Sequence, residues 1–396
     1  MTAAQTPPVN LACDRRANTG TLILAISAFL IVTTEFLIVG LLPGLARDLG
    51  ISISAAGQLV TLFAFTVMLA GPPLTAALAH FDRRKLFAAI LMVFAAANAL
   101  AAVAPNVWVL GIARVLPALV LPVFWGTASE TAASMVSPDR HGQAVARVYL
   151  GISAALLLGI PLGTLAANAA GWRGAFWALS ALSAVMAFAV ITWMPSVPRV
   201  PKVDLRSQAR VFREPYFLAN VALSVLAFTA MFVAYTYLAD MLERIAGVAA
   251  SNVGWWLMGF GAIGLIGNWI GGRAVSRSPL RATALFLALL AVGMAAFGLL
   301  AAWWVPLWAS LALWAIANTA LYPVCQVRVM RSVTHSQALA GTTNVSAANA
   351  GIGMGALLGG LVIPTLGLSS LGYVAAGIAL LALMLVPVVA WLCPRG

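Results

Sequence analysis

Apolar residues in this chain neither alternate with polar ones nor recur only every third or fourth position. They run on for about twenty residues and then stop at a short polar break. A helix packed on one side shows an apolar stripe, whereas a helix apolar all round suits lipid. A hydrocarbon core about 30 Å thick needs about 20 helical residues to cross. Twelve such runs can be placed, over residues 20–42, 55–79, 86–104, 107–135, 145–167, 175–194, 217–238, 253–272, 283–302, 304–324, 339–363 and 371–392. They predict an all-α membrane protein of twelve transmembrane helices. A membrane β-barrel would show strict alternation, which is absent.

Composition supports this reading. Hydrophobic side chains make up 63% of the 396 residues and charged ones 8%, against about 25% charged in an ordinary soluble domain. Such a chain could not cover its own surface in water. Cys13, Cys325 and Cys393 lie too far apart for a metal motif or a disulfide framework, and no cofactor is expected. The first thirteen residues are polar, so the first apolar run reads as a span and not as a cleaved signal peptide.

The net charge of +12 would suggest nucleic acid in a soluble protein. Sorting the 22 basic residues over twelve spans gives another answer. Both termini share one side, and eighteen basic residues fall there with them, including Arg83, Arg84, Lys85, Arg140, Arg147 and Arg331. Arg47, Arg173 and Arg244 fall on the other side, and Arg114 lies within a span. The positive-inside rule then puts both termini in the cytoplasm, and no nucleic-acid partner is needed.

The longest polar stretch, residues 195–215, carries four prolines and five basic residues. It divides the spans six and six, giving an N-terminal bundle (1–194), a cytoplasmic linker (195–215) and a C-terminal bundle (216–396). The halves echo each other at an offset of 197. Ser54 and Gly57 match Ser251 and Gly254, and Val107-Trp108 matches Trp304-Val305. Gly-rich stretches recur at 159–163 and 355–360. Parallel repeats of this kind predict two six-helix bundles related by a pseudo-twofold axis along the membrane normal.

With these features the chain resembles the major facilitator superfamily over essentially its whole length. Phe81-Asp82-Arg83-Arg84-Lys85 is similar to the family's basic loop between the second and third spans, although Ala79 and Asp82 stand where the motif has an acid and a glycine. Gly159-Ile160-Pro161-Leu162-Gly163 is similar to the signature of proton-coupled exporters, and Gly171-Trp172-Arg173 with Phe176 to a short outer loop of the drug-exporter branch. Thr33-Thr34-Glu35-Phe36 resembles the sugar-efflux and purine-ribonucleoside-efflux transporters of the drug:proton antiporter branch. Phe124-Trp125, Arg328-Val329-Met330 and residues 344–360 fit the same group. The resemblance implies a multi-pass protein of the bacterial inner membrane that works as a monomer and exports a small organic solute against protons.

Within the spans, Glu35 stands out because a carboxylate in mid-membrane costs several kcal/mol. It lies seven residues before position 42, about 10 Å below the boundary at 1.5 Å per residue. Arg114 lies seven residues after position 107 and at the same depth, so the two can meet. Burial favours the neutral acid and a guanidinium favours the carboxylate. Shifting that balance between two conformations would load and unload a proton, whereas a permanent ion pair would only fasten two helices. Asp82, Arg83, Arg84, Glu130 and Arg147 cluster at the cytoplasmic side as a candidate gate or as ordinary helix ends. Asp240 and Glu243, at the outer end of span seven, need no special role.

Substrate in such folds binds near the midplane between the halves. The polar and aromatic candidates there are Phe124, Trp125, Tyr235, Trp314, Asn318, Tyr322, Asn344 and Asn349. Aromatic faces stack a sugar or a base and amides read its hydroxyls or ring edges, although the same residue types also glue helices. No P-loop is present, and His80, His141 and His335 sit in or beside loops, so an enzyme is not expected. The expectation is a proton-coupled antiporter for a sugar, nucleoside or drug. A symporter or uncoupled facilitator on the same fold, and a membrane receptor that has lost transport, are the alternatives.

Overall fold

The computed structural model describes residues 11–78, 80–137, 140–195, 197, 209–333 and 337–393. Most of the expected linker lies outside the described residues, as do His335, Arg199, Lys202, Arg206 and Arg395. Thirteen α-helices account for nearly all the rest, with no strand among the described residues. They are α1 (Leu11–Leu49), α2 (Ile53–Leu78), α3 (Arg83–Ala102), α4 (Val107–Ser134), α5 (His141–Ala154), α6 (Ile160–Trp193), α7 (Pro215–Tyr235), α8 (Leu238–Arg244), α9 (Ala250–Arg277), α10 (Pro279–Leu300), α11 (Trp304–Arg331), α12 (Gln337–Leu366) and α13 (Leu371–Trp391).

Several helix starts are written into the chain. Asn106 Oδ1 accepts from the backbone N–H groups of Trp108 and Val109, both at 3.1 Å, and opens α4. Asp82 Oδ1 accepts from Lys85 N at 3.1 Å and opens α3. Ser278 and then Pro279 open α10.

Eleven helical segments among the described residues are long and apolar enough to cross a membrane. One of them, His141–Trp193, is 53 residues long, about 80 Å at 1.5 Å per residue and more than twice a bilayer core. It breaks at Gly171, with φ 74° and ψ 159°, and so supplies the expected fifth and sixth spans. The fifth span also contains a π turn at Ala155–Gly159, where Ile160 N donates to Ala155 O. Pro161 follows at once and has no N–H to offer the preceding turn, so the bulge and the proline share one irregularity.

Two other expectations are corrected. The first helix does not stop near residue 42. It runs through Pro43 to Leu49, because Arg47 and Asp48 find partners on other helices and need no loop. The seventh span is not one helix. α7 ends at Tyr235, a turn places Tyr237 N on Ala234 O at 3.0 Å, and α8 continues to Arg244.

The repeat noticed in the sequence returns as geometry. Gly50 and Gly247 both adopt positive φ (61° and 68°), and so do Gly171 and Gly367 (74° and 87°). Each pair is separated by the repeat offset to within one residue. Gly171 and Gly367 share even their ψ, 159° and 160°, a region open to glycine alone. All four turns lie at one end of the molecule, the far end. Asp82 to Lys85, Arg140, Arg277 and Arg331 mark the other, the basic end. Packing repeats as well. α3 packs on α6 as α10 does on α13, and α2 on α4 as α9 does on α11. Across the middle, α2 packs on α12 and α6 on α9.

Candidate functional site

Glu35 sits in the interior of α1, and α4 brings Arg114 against it. The guanidinium does not grip the carboxylate. Arg114 Nη1 donates to the main-chain carbonyl of Thr34 at 2.6 Å and Nη2 to that of Glu35 at 2.7 Å. Its charged carbon lies 4.3 Å from the centre of the Phe63 ring of α2, a cation–π contact. Asn98 of α3 completes the corner by donating to Thr34 Oγ1 at 3.2 Å. Arg114 is 2% exposed, and four helices meet around it.

The Glu35 carboxylate has neither a hydrogen bond nor an ion pair among the described residues. It is only partly buried and lies within electrostatic range of the Arg114 guanidinium and the Tyr322 phenol. The two residues therefore meet, but through the Glu35 main chain. The fixed ion pair considered from the sequence is not formed, because the arginine fork is already occupied by carbonyls. What is left is a carboxyl group held beside a cation and free to change partner.

Across from it, the second half presents aromatic rings. Phe36 packs on Phe232 with centroids 5.9 Å apart, and Phe232 leads to Tyr235 at 5.4 Å and on to Phe260 at 5.6 Å. Tyr322 stands edge-on to Phe228 at 5.0 Å. Asn318, one turn from Tyr322, keeps a buried Oδ1 without a partner, as do Asn344 and Asn349. Asn344 Nδ2 donates to Gln326 Oε1 at 2.7 Å, so Gln326 belongs to this amide group although the sequence reading omitted it.

Three expected lining residues are placed otherwise than a central cavity would require. Trp314 has no exposed surface and packs on Phe260 and Phe297, against the backbone of Gly293. It fills the seam between α9, α10 and α11. Phe124 is equally buried and lies edge-on to Phe87 of α3 at 5.5 Å. Asn349 Nδ2 is engaged by its own helix, at Val345 O. Trp125 remains partly open and leans on Tyr149 of α5 at 5.8 Å.

At the basic end Arg83 meets Glu130 at 3.0 Å, with the Arg83 side chain 3% exposed. Arg84 turns away and donates to Val190 O and Thr192 O at the end of α6. Arg147 donates to Asn18 Oδ1 of α1 at 2.6 Å and does not join Glu130. Asp82 serves as the α3 cap. The five residues thus make four separate ties within the first half, and only Arg83 and Glu130 of them meet each other.

The far end holds contacts that the sequence did not disclose. Arg47 of α1 pairs with Glu243 of α8 at 2.8 Å, across the two halves. Asn168 donates to Ala250 O at 2.9 Å, also across them. Asp48 pairs with Arg173 and accepts from Trp172 Nε1 at 2.9 Å. A cavity of about 390 Å³ opens among these groups, between α1, α6, α8 and α9. At the same end, between α2 and α12, Tyr237 is fully buried and donates to Ala356 O at 2.9 Å while its ring occupies the space above Gly57.

α6 and the π turn stay against α9 from Asn168 and Ala250 down to Leu156 and Gly261. Below that level α5 and α9 are not closely packed, and Tyr149 and Leu150 of α5 are exposed. The halves touch at the far end through these contacts, and on the opposite seam α2 stays against α12 from Gln58 and Gly360 down to Gly71 and Ser346.

Comparison with known proteins places this geometry. The family model described as Major Facilitator Superfamily matches residues 24–245. The inner membrane transport protein YdhP of Escherichia coli strain K12 is 34% identical over 366 residues, covering 92% of this chain and 94% of that one. A probable sugar efflux transporter of Helicobacter acinonychis strain Sheeba is 29% identical over 362 residues, with 91% and 92% covered. Among solved structures, a D-xylose-proton symporter superposes with a TM-score of 0.74 at 17% identity, covering 93% of this chain and 97% of that one. A bacterial homologue of the human lysosomal transporter Spinster, inward-facing and unoccupied, gives 0.73 at 16% identity, with 98% and 96% covered.

Proposed function

The chain belongs to the major facilitator superfamily of membrane transporters, and from that premise we propose that it exports a small, largely neutral polar solute from the cytoplasm in exchange for protons. The observation that carries this reading is the Glu35 carboxyl. It lies in mid-span, beside Arg114, without a hydrogen bond of its own and opposite Tyr322 of the other half. A group so placed can take up a proton when one face is open and lose it when solute or a neighbouring phenol competes for the site.

The solute class is read from the lining. Tyr235, Tyr322, Trp125 and Phe36 offer ring faces, and Asn318, Gln326 and Asn344 offer amides, with unpartnered acceptor oxygens on Asn318 and Asn344. A solute with hydroxyl or N–H donors fits these groups, and no second carboxylate stands among them to favour a polycation. The names of relatives, inner membrane transport protein and probable sugar efflux transporter, agree with export of a sugar or a comparable solute across an inner membrane. In this reading the basic end faces the cytoplasm, as the positive-inside rule requires. Arg83–Glu130, Arg84 and Arg147 then brace the cytoplasmic rim of the first half, and the loosely packed α5 and α9 give access from the cytoplasm. Tyr237 and the Arg47–Glu243 pair close the outer side.

The test is substrate-induced proton flux in proteoliposomes carrying a pH-sensitive dye, with pentoses, galactosides, purine nucleosides and antibiotics as the panel. Antiport gives a flux with one solute class that Glu35→Gln abolishes. Solute movement without proton flux in either protein would reject the coupling. Flux in the same direction as the solute would replace export by symport.

A further inference from the structure

From Arg244 to the C-terminus the chain contains no aspartate or glutamate. Past α8 the basic end of the second half therefore has no aspartate or glutamate with which to neutralise its arginines, and the carboxylate described at that end is Glu214, at the start of α7. Arg328 is buried and donates to Asn220 and Ser224. Arg331 donates to Val275 O at 3.3 Å. Arg273, Arg277 and Arg281 remain. Arg273 and Arg277 stand one turn apart at the end of α9, and Arg281 lies in the first turn of α10, all three exposed. The guanidiniums of Arg277 and Arg281 have no hydrogen bond or ion pair among the described residues. Arg273 stacks 3.5 Å over the ring of Trp269, which is itself 61% exposed.

Orientation alone asks only for positive charge on this side. It does not ask for three open guanidinium forks on successive turns, set around the N-terminus of α10, whose dipole also favours an anion. In the first half the corresponding cations are taken up by Glu130, Asn18 and the α6 carbonyls. Trp269 adds the depth marker. It lies two turns inside the end of α9, about 12 Å along the helix axis, and an exposed tryptophan at that level belongs at the boundary of headgroups and acyl chains.

We propose that Arg273, Arg277 and Arg281, with Trp269 beneath them, form a binding site for the phosphate of an acidic phospholipid at the joint between α9 and α10. Guanidinium forks match phosphate oxygens in geometry as well as in charge. The indole face supports the acyl chain below the headgroup. The site is independent of the transport reading, since it concerns neither Glu35 nor the seam between the halves.

The full-length protein would be reconstituted into phosphatidylcholine nanodiscs with and without phosphatidylglycerol, and retained lipid would be counted by native mass spectrometry. Arg277→Gln/Arg281→Gln should lower phosphatidylglycerol retention about fivefold per guanidinium removed, with phosphatidylcholine retention unchanged. Arg277→Lys/Arg281→Lys should keep most of it. Equal retention by wild type and the Gln variant would overturn the site. Hydrogen exchange on the unmodified protein gives a second reading that needs no variant. Residues 269–285 should exchange more slowly in the phosphatidylglycerol discs, and identical exchange in both discs would equally overturn it. Free inorganic phosphate should give no such protection in phosphatidylcholine discs. If it does, the site is a soluble-anion site and the lipid assignment falls.

Discussion

Arg114 holds the main chain of Glu35 and leaves its carboxyl group free. Two hydrogen bonds, at 2.6 and 2.7 Å, run from one guanidinium to consecutive carbonyls of α1. The arginine therefore has a structural duty separable from any proton chemistry. Glu35→Gln keeps the carbonyl that Arg114 uses, so its melting temperature in detergent should stay near that of wild type while proton flux disappears. Arg114→Ala leaves two buried carbonyl contacts unmade. With charge-assisted bonds worth roughly 1.5–3 kcal/mol each, it should lose about 3 kcal/mol or more of stability. Equal melting of the two variants would contradict this division of roles.

The Arg47–Glu243 pair joins the halves at the far end, with Arg47 itself largely exposed. A pair so open to solvent contributes about 1 kcal/mol at most, yet that is enough to shift a population about fivefold. Glu243→Arg should raise the far-end-open fraction by about that factor, and Arg47→Glu/Glu243→Arg should reverse the change. Spin-label distances between positions 44 and 250 would report it. A double variant as open as the single one would show that the pair does not act as a pair.

Tyr237 fits over Gly57 because that residue has no side chain, and a Cβ there would strike the tyrosine ring. Gly57→Val should destabilise the far-end-closed state by about 1–3 kcal/mol, the usual cost of overpacking. Tyr237→Ala in the same chain should remove most of that cost. The same spin-label pair would measure both, and additive effects would contradict the contact.

Gly171 and Gly367 occupy a backbone region that side chains avoid. Gly171→Ala and Gly367→Ala should each cost about 1–3 kcal/mol, and by similar amounts, since φ and ψ nearly coincide. Thermal unfolding in detergent would compare them. A neutral Gly171→Ala would mean that the turn relaxes to another conformation.

Much of the fold was legible because lipid leaves few choices. Length of apolar run set the number of spans, and the offset of 197 that links Ser54 to Ser251 also links the turns at Gly50 and Gly247. Matching depth brought Glu35 and Arg114 together correctly. What escaped the sequence depends on how helices cross. Whether an arginine reaches a carboxylate or the carbonyl beside it is a matter of ångströms between α1 and α4. Trp314 reads as a cavity residue because it is large and deep, yet its ring is taken up by Phe260 and Phe297 on the neighbouring helices. Arg47 and Asp48 looked like the start of a loop, because the groups that keep them helical lie at Glu243 and Trp172-Arg173.

The absence of any carboxylate after Arg244 also divides labour within the molecule. Acidification can place no proton on an aspartate or glutamate in the last five spans. The first half carries the mid-span acid, Glu35, while α9 to α13 keep a fixed complement of arginine charge across the same range of pH. In the proposed antiport, a proton taken up at Glu35 would reach α9 to α13 as mechanical contact, through Phe36 on Phe232, α2 on α12 and α6 on α9. In that reading α1 carries the sensor and α9 to α13 form the lever.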